Sequence, residues 1–384
     1  MRILTAGESH GEYIISVLEG FPKGVKIEQK VINEELARRA SGVGRGKRMS
    51  SIEKDKVVII SGLRNKVTLG SPIAMLVKNK DTKIFSQSQD ELPVISVPRP
   101  AHADLAGLLK YHDTDIRNIL ERASARETVA RVCAGSACKQ FLHNFGMKIA
   151  SFTVSVAAVA SLKNPRNISE IIKRAKKSKL NCLDAAKEMV MIQEIRKAQK
   201  KGDSLGGIIE VWIDGAPPGL GSFMHFDRRL DAKFASYLMS IPAIKGVEVG
   251  LGFAYAKKRG SVSHDAIYCS TTHKANKAFI RKTNNSGGIE GGISTGETIV
   301  LRLAMKPIAT LSKPLDSVNV TTKKKEKAPT VRSDTCAIVA CGIIAESMSA
   351  IAITECFLDK FGCDTLDEIK LNYKNYFKLL EKKF

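Results

Sequence analysis

The chain has 384 residues, of which 43% are hydrophobic and 26% are charged, a composition that excludes a disordered protein and permits a sizeable buried core. Its 61 lysines and arginines exceed its 39 acidic residues, which gives a formal net charge of +22 at pH 7. The 29 glycines follow no Gly-X-Y repeat, which excludes collagen, whereas the positive charge permits nucleic acids, membrane surfaces or small polyanions as partners.

The first predicted feature is a glycine-flanked loop that follows the short apolar segment Ile3-Leu4. The loop has the sequence Gly7-Glu8-Ser9-His10-Gly11. The histidine side chain is suited to proton transfer near neutral pH, although a single loop histidine is more often incidental. No apolar run of signal-peptide length occurs at the N-terminus, so we expect a cytoplasmic protein.

A glycine- and arginine-rich stretch follows at residues 38–48. Ser41 stands where a phosphate-binding P-loop requires glycine, and Arg48 stands where it requires serine or threonine. We therefore predict a flexible loop with four guanidinium groups suited to clamping phosphate or carboxylate, those of Arg38, Arg39, Arg45 and Arg48. A solvated basic loop is an equally good interpretation of this stretch.

A second histidine lies in the segment Pro98-Arg99-Pro100-Ala101-His102-Ala103-Asp104. The two prolines stiffen the chain immediately before a histidine and a carboxylate, because each proline ring restricts the backbone. His102 is therefore a second candidate for proton transfer near neutral pH, beside His10.

Residues 122–146 predict one long helix with two arginines at its start. Arg122 and Arg126 are one turn apart, and the apolar positions that follow recur at helical spacing. Because the positive end of a helix dipole disfavours cations, two arginines there suggest a bound anion. The alternative is that both arginines pair with acids such as Glu121 and Glu127.

The remaining positive charge is mostly lysine. Residues 166–201 predict two amphipathic helices with basic, solvated faces and a break near Asn181. Residues 323–327 predict an exposed loop, and residues 366–380 predict a surface helix with one apolar side. Few aromatic residues interleave with the lysines, so the stacking partners expected of a protein that binds single-stranded nucleic acid are missing.

One apolar stretch, residues 336–353, nearly reaches the roughly 18 residues of a membrane span. Glu346, Ser347 and Ser349 interrupt it, so we predict a buried helix of a soluble protein. The eight cysteines contain no Cys-x-x-Cys pair and no zinc-finger spacing with histidine, which is typical of reduced cytoplasmic thiols without a metal.

Several segments resemble, in the same order, the signature segments of the chorismate synthase family. The four main ones are Gly7-Glu8-Ser9-His10-Gly11, Arg99-Pro100-x-His102-Ala103-Asp104, Ser124-Ala125-Arg126-Glu127-Thr128 and Arg332-Ser333-Asp334. Further matches lie at 202–207, 245–248 and 287–294. The resemblance covers about residues 1–355, and four motifs in the correct order are highly specific.

The resemblance implies an α+β fold in which residues 1–384 form a single compact domain. In this β-α-β sandwich, helices lie between antiparallel sheets, and a further helix at 364–384 follows. The resemblance also implies a homotetramer.

A functional alternative of a different kind is a basic protein that binds nucleic acid. That alternative predicts steeply salt-dependent binding to DNA or RNA.

The activity implied by the resemblance is the last common step of aromatic amino acid biosynthesis, in the shikimate pathway. Phosphate is removed from 5-enolpyruvylshikimate-3-phosphate by 1,4-elimination to give chorismate. The family requires reduced FMN although the reaction is redox-neutral overall, with the flavin acting on the substrate's C6–H while the C3–O bond to phosphate breaks. NADPH is one source of reducing equivalents, and we expect an external flavin reductase because no added reductase domain is evident.

Residue roles follow from motif position. His10 resembles the histidine that protonates the departing phosphate, and His102 resembles the one that protonates the flavin. Asp334 resembles the acid that helps to deprotonate flavin N5, with Ser9 and Ser124 as supporting hydroxyls. The positions that match FMN contacts are Arg122, Ala123, Ser124, Pro242, Ala243, Gly291, Lys306, Pro307, Ile308, Ala309, Thr310 and Arg332.

The remaining candidates are arginines. Arg39 and Arg45 match positions that contact NADPH or phosphate. For the phosphate and two carboxylates of the substrate we add Arg48, Arg99 and Arg126, because buried anions need paired cations. Three residues depart from the family's usual pattern, namely Ala101 in place of glycine, Ala123 in place of serine and Pro242 in place of a polar residue.

Overall fold

The computed structural model describes residues 1–46, 53–82, 93–270, 279–330 and 333–384. Two of the predicted site residues, Arg48 and Arg332, lie outside the described residues. The described residues include two large antiparallel sheets with helices packed between them.

Strands and helices both occur along the whole length of the described chain. The strands are β1 (Arg2–Ala6), β2 (Tyr13–Glu19), β3 (Val57–Ile59), β4 (Leu63–Arg64), β5 (Val67–Thr68), β6 (Ile73–Lys78), β7 (Lys148–Val156), β8 (Val159–Ala160), β9 (Gly207–Asp214), β10 (Ile244–Val249), β11 (Ile267–Cys269), β12 (Phe279–Arg281), β13 (Ile289–Glu290), β14 (Ile293–Ser294), β15 (Ile299–Met305), β16 (Asp316–Val318) and β17 (Lys325–Lys327). The helices are α1 (Gln29–Ala40), α2 (Asp104–Tyr111), α3 (Ile116–Ala123), α4 (Thr128–His143), α5 (Ile168–Ala175), α6 (Ala185–Lys200), α7 (Leu230–Met239), α8 (Gly260–Ser263), α9 (Ile338–Phe361) and α10 (Leu366–Lys383).

The first sheet has four strands in the order β1-β2-β6-β3, and every neighbouring pair is antiparallel. The second sheet has five strands in the order β10-β15-β9-β7-β8, also antiparallel throughout. In β2, Ile14 and Leu18 are buried while Tyr13 and Glu19 are exposed, as expected of a strand with one face on the core.

Two long helices form the layer between the sheets. Helix α4 packs against β2 and β6 of the first sheet, α9 packs against β7 and β9 of the second, and the two helices contact each other. Their contact is close, because a Cβ atom on Gly135 of α4 would lie 2.4 Å from the Cβ atom of Ser347 in α9. This arrangement confirms the α+β fold with helices between antiparallel sheets.

The apolar stretch 336–353 forms most of α9, which confirms the predicted buried helix. By length and composition this helix could cross a membrane, but 94% of its apolar window is buried inside the protein. At its centre the carboxylate of Glu346 accepts hydrogen bonds from Arg38 at 2.9 and 3.0 Å and pairs with Lys139 at 2.5 Å. Although burial favours the neutral acid, these two cations hold the pKa of Glu346 below its ordinary value.

The prediction of one helix over residues 122–146 is wrong. Helix α3 ends at Ala123, a 3-10 turn covers Ala125–Glu127, and α4 begins at Thr128. Ser124 breaks the helix, because its backbone is extended and its hydroxyl accepts the N–H of Arg126 at 3.3 Å. Arg122 consequently lies in the last turn of α3, where the helix dipole favours cations.

The lysine-rich segments follow the predictions in part. Helices α5 and α6 are confirmed, with Asn181 in a left-handed conformation between them (φ 54°). Helix α10 is also confirmed, and Thr365 caps its start by accepting the N–H of Glu368. The predicted loop at 323–327 is exposed, but β17 occupies part of it and pairs with β16.

Candidate active site

The loop that carries His10 connects β1 and β2. Gly7 turns the chain with a positive φ of 101°, and a Cβ atom there would lie 2.2 Å from the carbonyl oxygen of Tyr13. Only glycine fits this position without displacing the backbone. The loop is therefore folded tightly against the beginning of β2.

Helix α3 holds this loop from one side. Glu121 places one carboxylate oxygen 2.7 Å from His10 Nδ1, and the other oxygen accepts the backbone N–H of His10 at 2.7 Å. The carbonyl oxygen of Glu121 accepts the N–H of Ser9 at 3.0 Å. The hydroxyls of Ser9 and Ser124 are 3.1 Å apart and hydrogen-bonded. Three of the predicted catalytic residues, His10, Ser9 and Ser124, are thus brought together.

Asn79, which follows β6, holds the same loop from the other side. Its amide nitrogen donates to the carbonyl oxygens of Glu8 at 3.1 Å and Gly11 at 2.6 Å. Its amide oxygen accepts from Arg126 Nε at 2.8 Å. Asn79 therefore connects the His10 loop directly to a predicted substrate-binding arginine.

Arg126 is only 4% exposed and lies between acids of the segment before β3. Its Nη1 is 2.7 Å from Asp55 Oδ1, and its Nη2 is 3.6 Å from Glu53 Oε2. The alternative in which the arginines pair with acids is therefore confirmed for Arg126, but its partners are Asp55 and Glu53 and not Glu121 or Glu127. Glu121 pairs with His10, and Glu127 pairs with Arg131 at 2.9 Å.

Arg39 lies beside this group, in the last turn of α1. Its Nε and Nη2 donate to Thr128 Oγ1 at 3.1 and 2.9 Å, and its Nη1 is 3.7 Å from Asp55 Oδ2. Burial, together with the nearby charges of Arg45 and Arg126, lowers the pKa of Arg39 to about 10, so the guanidinium stays protonated at neutral pH.

Arg45 forms an ion pair with Asp334, whose other oxygen accepts the N–H of Gly46 at 2.6 Å. Gly44 O accepts the N–H of Thr335 at 2.7 Å, which holds the glycine-rich stretch against the residues before α9. The predicted loop of four guanidinium groups needs correction. Arg38 and Arg39 belong to α1, and Arg38 is engaged by Glu346 in the protein core.

His102 belongs to a compact group formed by its own segment. Asp104, the first residue of α2, is fully buried and accepts from His102 Nδ1 at 2.5 Å. It also accepts from Arg99 Nε at 2.8 Å, Arg99 Nη2 at 3.0 Å and the Arg99 backbone N–H at 3.0 Å. Despite burial, these bonds from His102 and Arg99 hold the pKa of Asp104 well below its ordinary value.

Thr310 joins the His102 group to the Asp334 group. Arg99 Nη1 donates to Thr310 Oγ1 at 3.2 Å, and the hydroxyl of Ser333 donates to the Thr310 carbonyl oxygen at 2.9 Å. Since Ser333 precedes Asp334, the predicted proton-transfer histidine and the predicted acid are tied to one short segment of chain.

Lys306 adds a cation to the same region. Its amine donates to the carbonyl oxygen of Ala101, and its backbone N–H donates to Ala243 O at 2.9 Å. Burial and the charge of Lys245 lower the pKa of Lys306 from its ordinary value. Ala101 has a positive φ of 62°, a backbone conformation that glycine adopts more readily than alanine.

The predicted flavin-contact residues fall into separate groups. Arg122 donates to the carbonyl oxygens of Thr5 and Gly7 at 2.8 and 3.1 Å, with Ala123 and Ser124 next to it. The segment 306–310 lies with Ala243 and Pro242, and the Ile308 carbonyl oxygen accepts from Ser204 at 2.6 Å. Gly291 lies in the turn between β13 and β14 and takes no part in the contacts described above.

Sequence reasoning missed the residues that pair with the predicted ones, namely Glu53, Asp55, Asn79 and Thr128 as well as Glu121 in its actual role. Glu53, Asp55 and Asn79 are single polar residues outside the signature motifs, and Thr128 ends one of those motifs without a predicted role, so no local pattern marks their contacts. Their buried side chains are the signal, and burial becomes visible only after folding.

The donor set fits a polyanionic ligand or cofactor. Within the described residues, the buried atoms Arg39 Nη1, Arg45 Nε and Arg126 Nη2 make no hydrogen bond, although Arg39 Nη1 and Arg126 Nη2 lie 3.7 and 3.6 Å from the carboxylates of Asp55 and Glu53. A buried donor without a partner costs about 1–3 kcal/mol, which a bound anion would offset. Two histidine–carboxylate pairs complete an arrangement that can bind several negative charges and transfer protons beside them.

Comparison with known proteins identifies relatives over nearly the whole chain. A family model described as "Chorismate synthase" matches residues 1–358. The chorismate synthase of Alkaliphilus metalliredigens (strain QYMF) is 50% identical over 381 residues, which cover 98% of this chain and 99% of the relative. That of Pelobacter propionicus (strain DSM 2379 / NBRC 103807 / OttBd1) is 48% identical over 386 residues, with 98% of each chain covered.

Among solved structures, one described as "Crystal Structure of Chorismate Synthase" superposes with a TM-score of 0.80. It is 39% identical in sequence, and the match covers 99% of this chain and 98% of that one. The same fold therefore accompanies the sequence similarity along the full length of the chain.

Proposed function

The chain belongs to the chorismate synthase family and is a carbon–oxygen lyase, and from this premise we propose its reaction. The reaction is the 1,4-elimination of phosphate from 5-enolpyruvylshikimate-3-phosphate to give chorismate, the last common step of aromatic amino acid biosynthesis. The observation that carries the proposal is the linked set of buried arginines and two histidine–carboxylate pairs, formed by residues of the family's motifs.

The elimination breaks the C3–O bond to phosphate and the C6–H bond of the ring. Overall, phosphate leaves with the electron pair of the C3–O bond and C6 loses its hydrogen as a proton, so that the electron pair of the C6–H bond stays in the ring and completes the conjugated diene of chorismate. The substrate carries a phosphate and two carboxylates, so the protein must compensate several buried negative charges.

We assign the binding of these anions to Arg39, Arg45, Arg99 and Arg126, together with Arg48 outside the described residues. Three of them keep a buried guanidinium nitrogen without a hydrogen-bond partner among the described residues. Guanidinium groups bind phosphate and carboxylate through paired N–H donors, which supports an anion-binding role. For Arg39 and Arg45 we favour contact with a phosphate, of the substrate or of NADPH.

The two histidines handle protons in this proposal. His10 donates a proton to the departing phosphate, and His102 supplies a proton on the flavin side. Each has a carboxylate at Nδ1, which stabilises the imidazolium. At His102 the guanidinium Nη2 of Arg99 also lies 3.1 Å from Nδ1 and 3.5 Å from Nε2. Ser9 and Ser124, whose hydroxyls are hydrogen-bonded to each other next to His10, are the supporting hydroxyls in this proposal. Asp334, paired with Arg45, would be the acid that helps to deprotonate flavin N5 when the flavin is bound.

Reduced FMN, when bound, supplies the redox-active group that the family requires for an elimination without net redox change. We propose that it is held by Arg122, Ala123, Ser124, Pro242, Ala243, Gly291, Lys306, Pro307, Ile308, Ala309, Thr310 and Arg332. The cationic side chains of Arg122 and Lys306 suit its phosphate, and Pro242 would contribute through its backbone. We expect an external flavin reductase to supply reducing equivalents, with NADPH as the alternative source.

An anaerobic assay tests the proposed function. The protein is mixed with 5-enolpyruvylshikimate-3-phosphate and chemically reduced FMN, and both phosphate and chorismate are measured. We expect stoichiometric release of the two products with reduced FMN and none with oxidised FMN alone. Failure to release phosphate under these conditions would overturn the proposal.

Family membership favours the enzyme over the nucleic-acid-binding alternative. That alternative predicts tight binding to duplex DNA that weakens steeply as salt rises. Fluorescence anisotropy with labelled duplex DNA at low and moderate salt distinguishes the two. We expect no tight binding, because the described arginines of the site are largely buried and paired with acids rather than spread over an open face.

We further propose a cytoplasmic homotetramer of single-domain subunits. Residues from both sheets share one hydrophobic core, which supports a single domain. All eight cysteines are free thiols, which supports a reducing compartment. Light scattering should give a mass of four 41.8 kDa chains, and a monomer in solution would contradict the assembly.

A further inference from the structure

Glu121 stands out because the family resemblance assigns it no role, yet it makes close contacts to a predicted catalytic residue. It lies near the end of α3 and is 8% exposed. We infer that Glu121 is a positioning residue that fixes the orientation and the proton-carrying nitrogen of His10. This inference rests on the proposed function, in which His10 donates a proton to the departing phosphate.

The contacts between Glu121 and the His10 loop constrain orientation as well as charge. One carboxylate oxygen faces His10 Nδ1 and the other accepts the His10 backbone N–H, both at 2.7 Å. The Glu121 carbonyl oxygen accepts from Ser9 at 3.0 Å. Side chain and backbone of one residue on a helix therefore hold two successive loop residues. A simple surface ion pair would leave the histidine ring free to rotate about its side-chain bonds.

The chemistry of the pair decides which ring nitrogen exchanges protons. A carboxylate can only accept, so His10 Nδ1 must be the donor in this contact. Nε2 then carries the second proton of the imidazolium. When the Nε2–H bond breaks and an O–H bond forms on phosphate, the histidine becomes neutral while its Nδ1–H remains bonded to Glu121.

A second carboxylate faces the other side of the ring. Asp81 Oδ2 is 3.8 Å from His10 Nε2, beyond hydrogen-bond distance. Glu121 at 2.7 Å therefore makes the closer and directional contact. Among the described carboxylates, Glu121 is the one placed to set the tautomer of His10.

The test compares the wild type with Glu121→Gln and Glu210→Gln. Glutamine keeps the size of residue 121 but removes the charge. It also replaces one carboxylate oxygen by an NH2 donor, which cannot accept from His10 Nδ1 or from the His10 backbone N–H. We expect kcat to fall by about tenfold or more, with the KM for 5-enolpyruvylshikimate-3-phosphate changed by less than about twofold. Melting curves of all three proteins establish that they are folded.

Glu210→Gln is the matched control. Glu210 is 4% exposed, on β9 of the second sheet, and accepts from Trp212 Nε1 at 2.7 Å and from Arg302 Nη2 at 2.6 Å. It is thus as buried as Glu121 and equally engaged by donors. We expect this substitution to lower the melting temperature while leaving kcat unchanged.

A spectroscopic measurement makes the inference independent of turnover. Nitrogen-15 shifts of the histidine rings report which nitrogen carries the proton, and comparison with His10→Ala identifies the His10 signals. In the wild type we expect the Nδ1–H tautomer of neutral His10. In Glu121→Gln we expect that population to fall, with the other histidine signals unchanged.

The outcomes separate the inference from the proposed function. An unchanged kcat, or unchanged His10 nitrogen shifts, in folded Glu121→Gln would overturn the positioning role. Wild-type protein without turnover would overturn the proposed function, whereas the nitrogen shifts would still test the pair. If Glu121→Gln fails to fold, Glu121→Asp is the substitute, because it retracts the carboxylate by one methylene. We expect it to lower kcat less than Glu121→Gln would. A normal kcat in Glu121→Asp would overturn the positioning role.

Discussion

The His10 region and the His102 region present the same chemical unit, a histidine whose Nδ1 faces a carboxylate, but the chain builds them differently. His102 is held by Arg99 and Asp104, within five residues along the chain. His10 is held by Glu121, which is 111 residues away in sequence. One unit is contained in a single segment of chain, and the other exists only because α3 packs against the β1–β2 loop.

The difference shows how each unit depends on the rest of the protein. The His102 segment needs an unfavourable backbone conformation at Ala101, which Lys306 secures from outside. The His10 loop uses glycine at its sharp turn and so avoids that strain. We therefore expect the His102 unit to depend on Lys306 and the His10 unit to depend on α3, the helix that carries Glu121.

The largest expected effect comes from the histidines themselves. His10→Ala and His102→Ala should each lower kcat at least tenfold, within the roughly 10²–10⁴-fold range of general acid–base catalysis, because each removes a proton donor. The anaerobic phosphate-release assay measures this, with exposed His143→Ala as the control. Full activity in either variant would remove that histidine from the mechanism. It would also show that the two histidine–carboxylate units do not both serve in proton transfer.

Asp104→Asn tests the local unit. The amide cannot accept from both Arg99 and His102 as the carboxylate does, so kcat should fall by roughly tenfold to a hundredfold. The matched control is Asp227→Asn, because Asp227 forms the same two-residue pair with His225, at 2.7 Å, on the exposed surface. Equal activities of the two variants would show that the buried pair has no special role.

The same variant carries a pH signature. The folded protein holds the pKa of Asp104 below its ordinary value, so its ionised form stabilises the fold. That contribution is complete above the unfolded pKa of about 3.9 and is lost as pH falls through the lower folded value. Urea unfolding should show a constant stability gap between wild type and Asp104→Asn from about pH 7 to 5, and a shrinking gap below about pH 4. A gap that widens in acid would contradict this assignment.

Gly7→Ala tests the turn beneath His10. The added methyl group would lie 2.2 Å from the Tyr13 carbonyl oxygen in a left-handed conformation, which should cost roughly 2 kcal/mol or more of unfolding free energy. We expect a lower kcat as well, because Ser9 and His10 move with the turn. Denaturant unfolding and kinetics measure the two effects, and an unchanged stability would show that the loop is not tightly folded.

Ala101→Gly is the converse change at His102 and has the smallest expected effect. Glycine relieves the left-handed strain of about 1–2 kcal/mol but gives the unfolded chain more freedom, which offsets about 0.4–1 kcal/mol. We expect a net gain of roughly 0.5–1 kcal/mol in unfolding free energy with kcat nearly unchanged. A loss of stability would mean that Ala101 is not strained.

Much of the fold and of the site could be predicted because the signals were local. The apolar run that forms α9 and the lysine-rich faces of α5 and α6 follow from periodicity. The group around Asp104 lies within one motif. The break at Ser124 was missed because a capping hydroxyl competes with the helix only when its neighbours allow it.

Arginine roles were harder to predict than arginine positions. Arg38 and Arg45 belong to the same charged stretch, yet Arg38 neutralises Glu346 inside the core and Arg45 pairs with Asp334 at the site. The local sequence does not show that the two arginines have different roles, because their carboxylate partners, Glu346 and Asp334, lie about 300 residues further along the chain.

Composition alone established a strongly basic, folded chain, and its motifs established the family and the residue types of the chemistry. The tertiary structure decided which of the positive side chains face solvent and which are buried at the site. Lysines of the surface helices face solvent, while Arg39, Arg99 and Arg126 are buried or nearly so and engaged by acids. The tertiary structure also gave His10 its carboxylate. The physical reason is that a buried charge needs its partner at contact distance, and only packing brings distant residues that close.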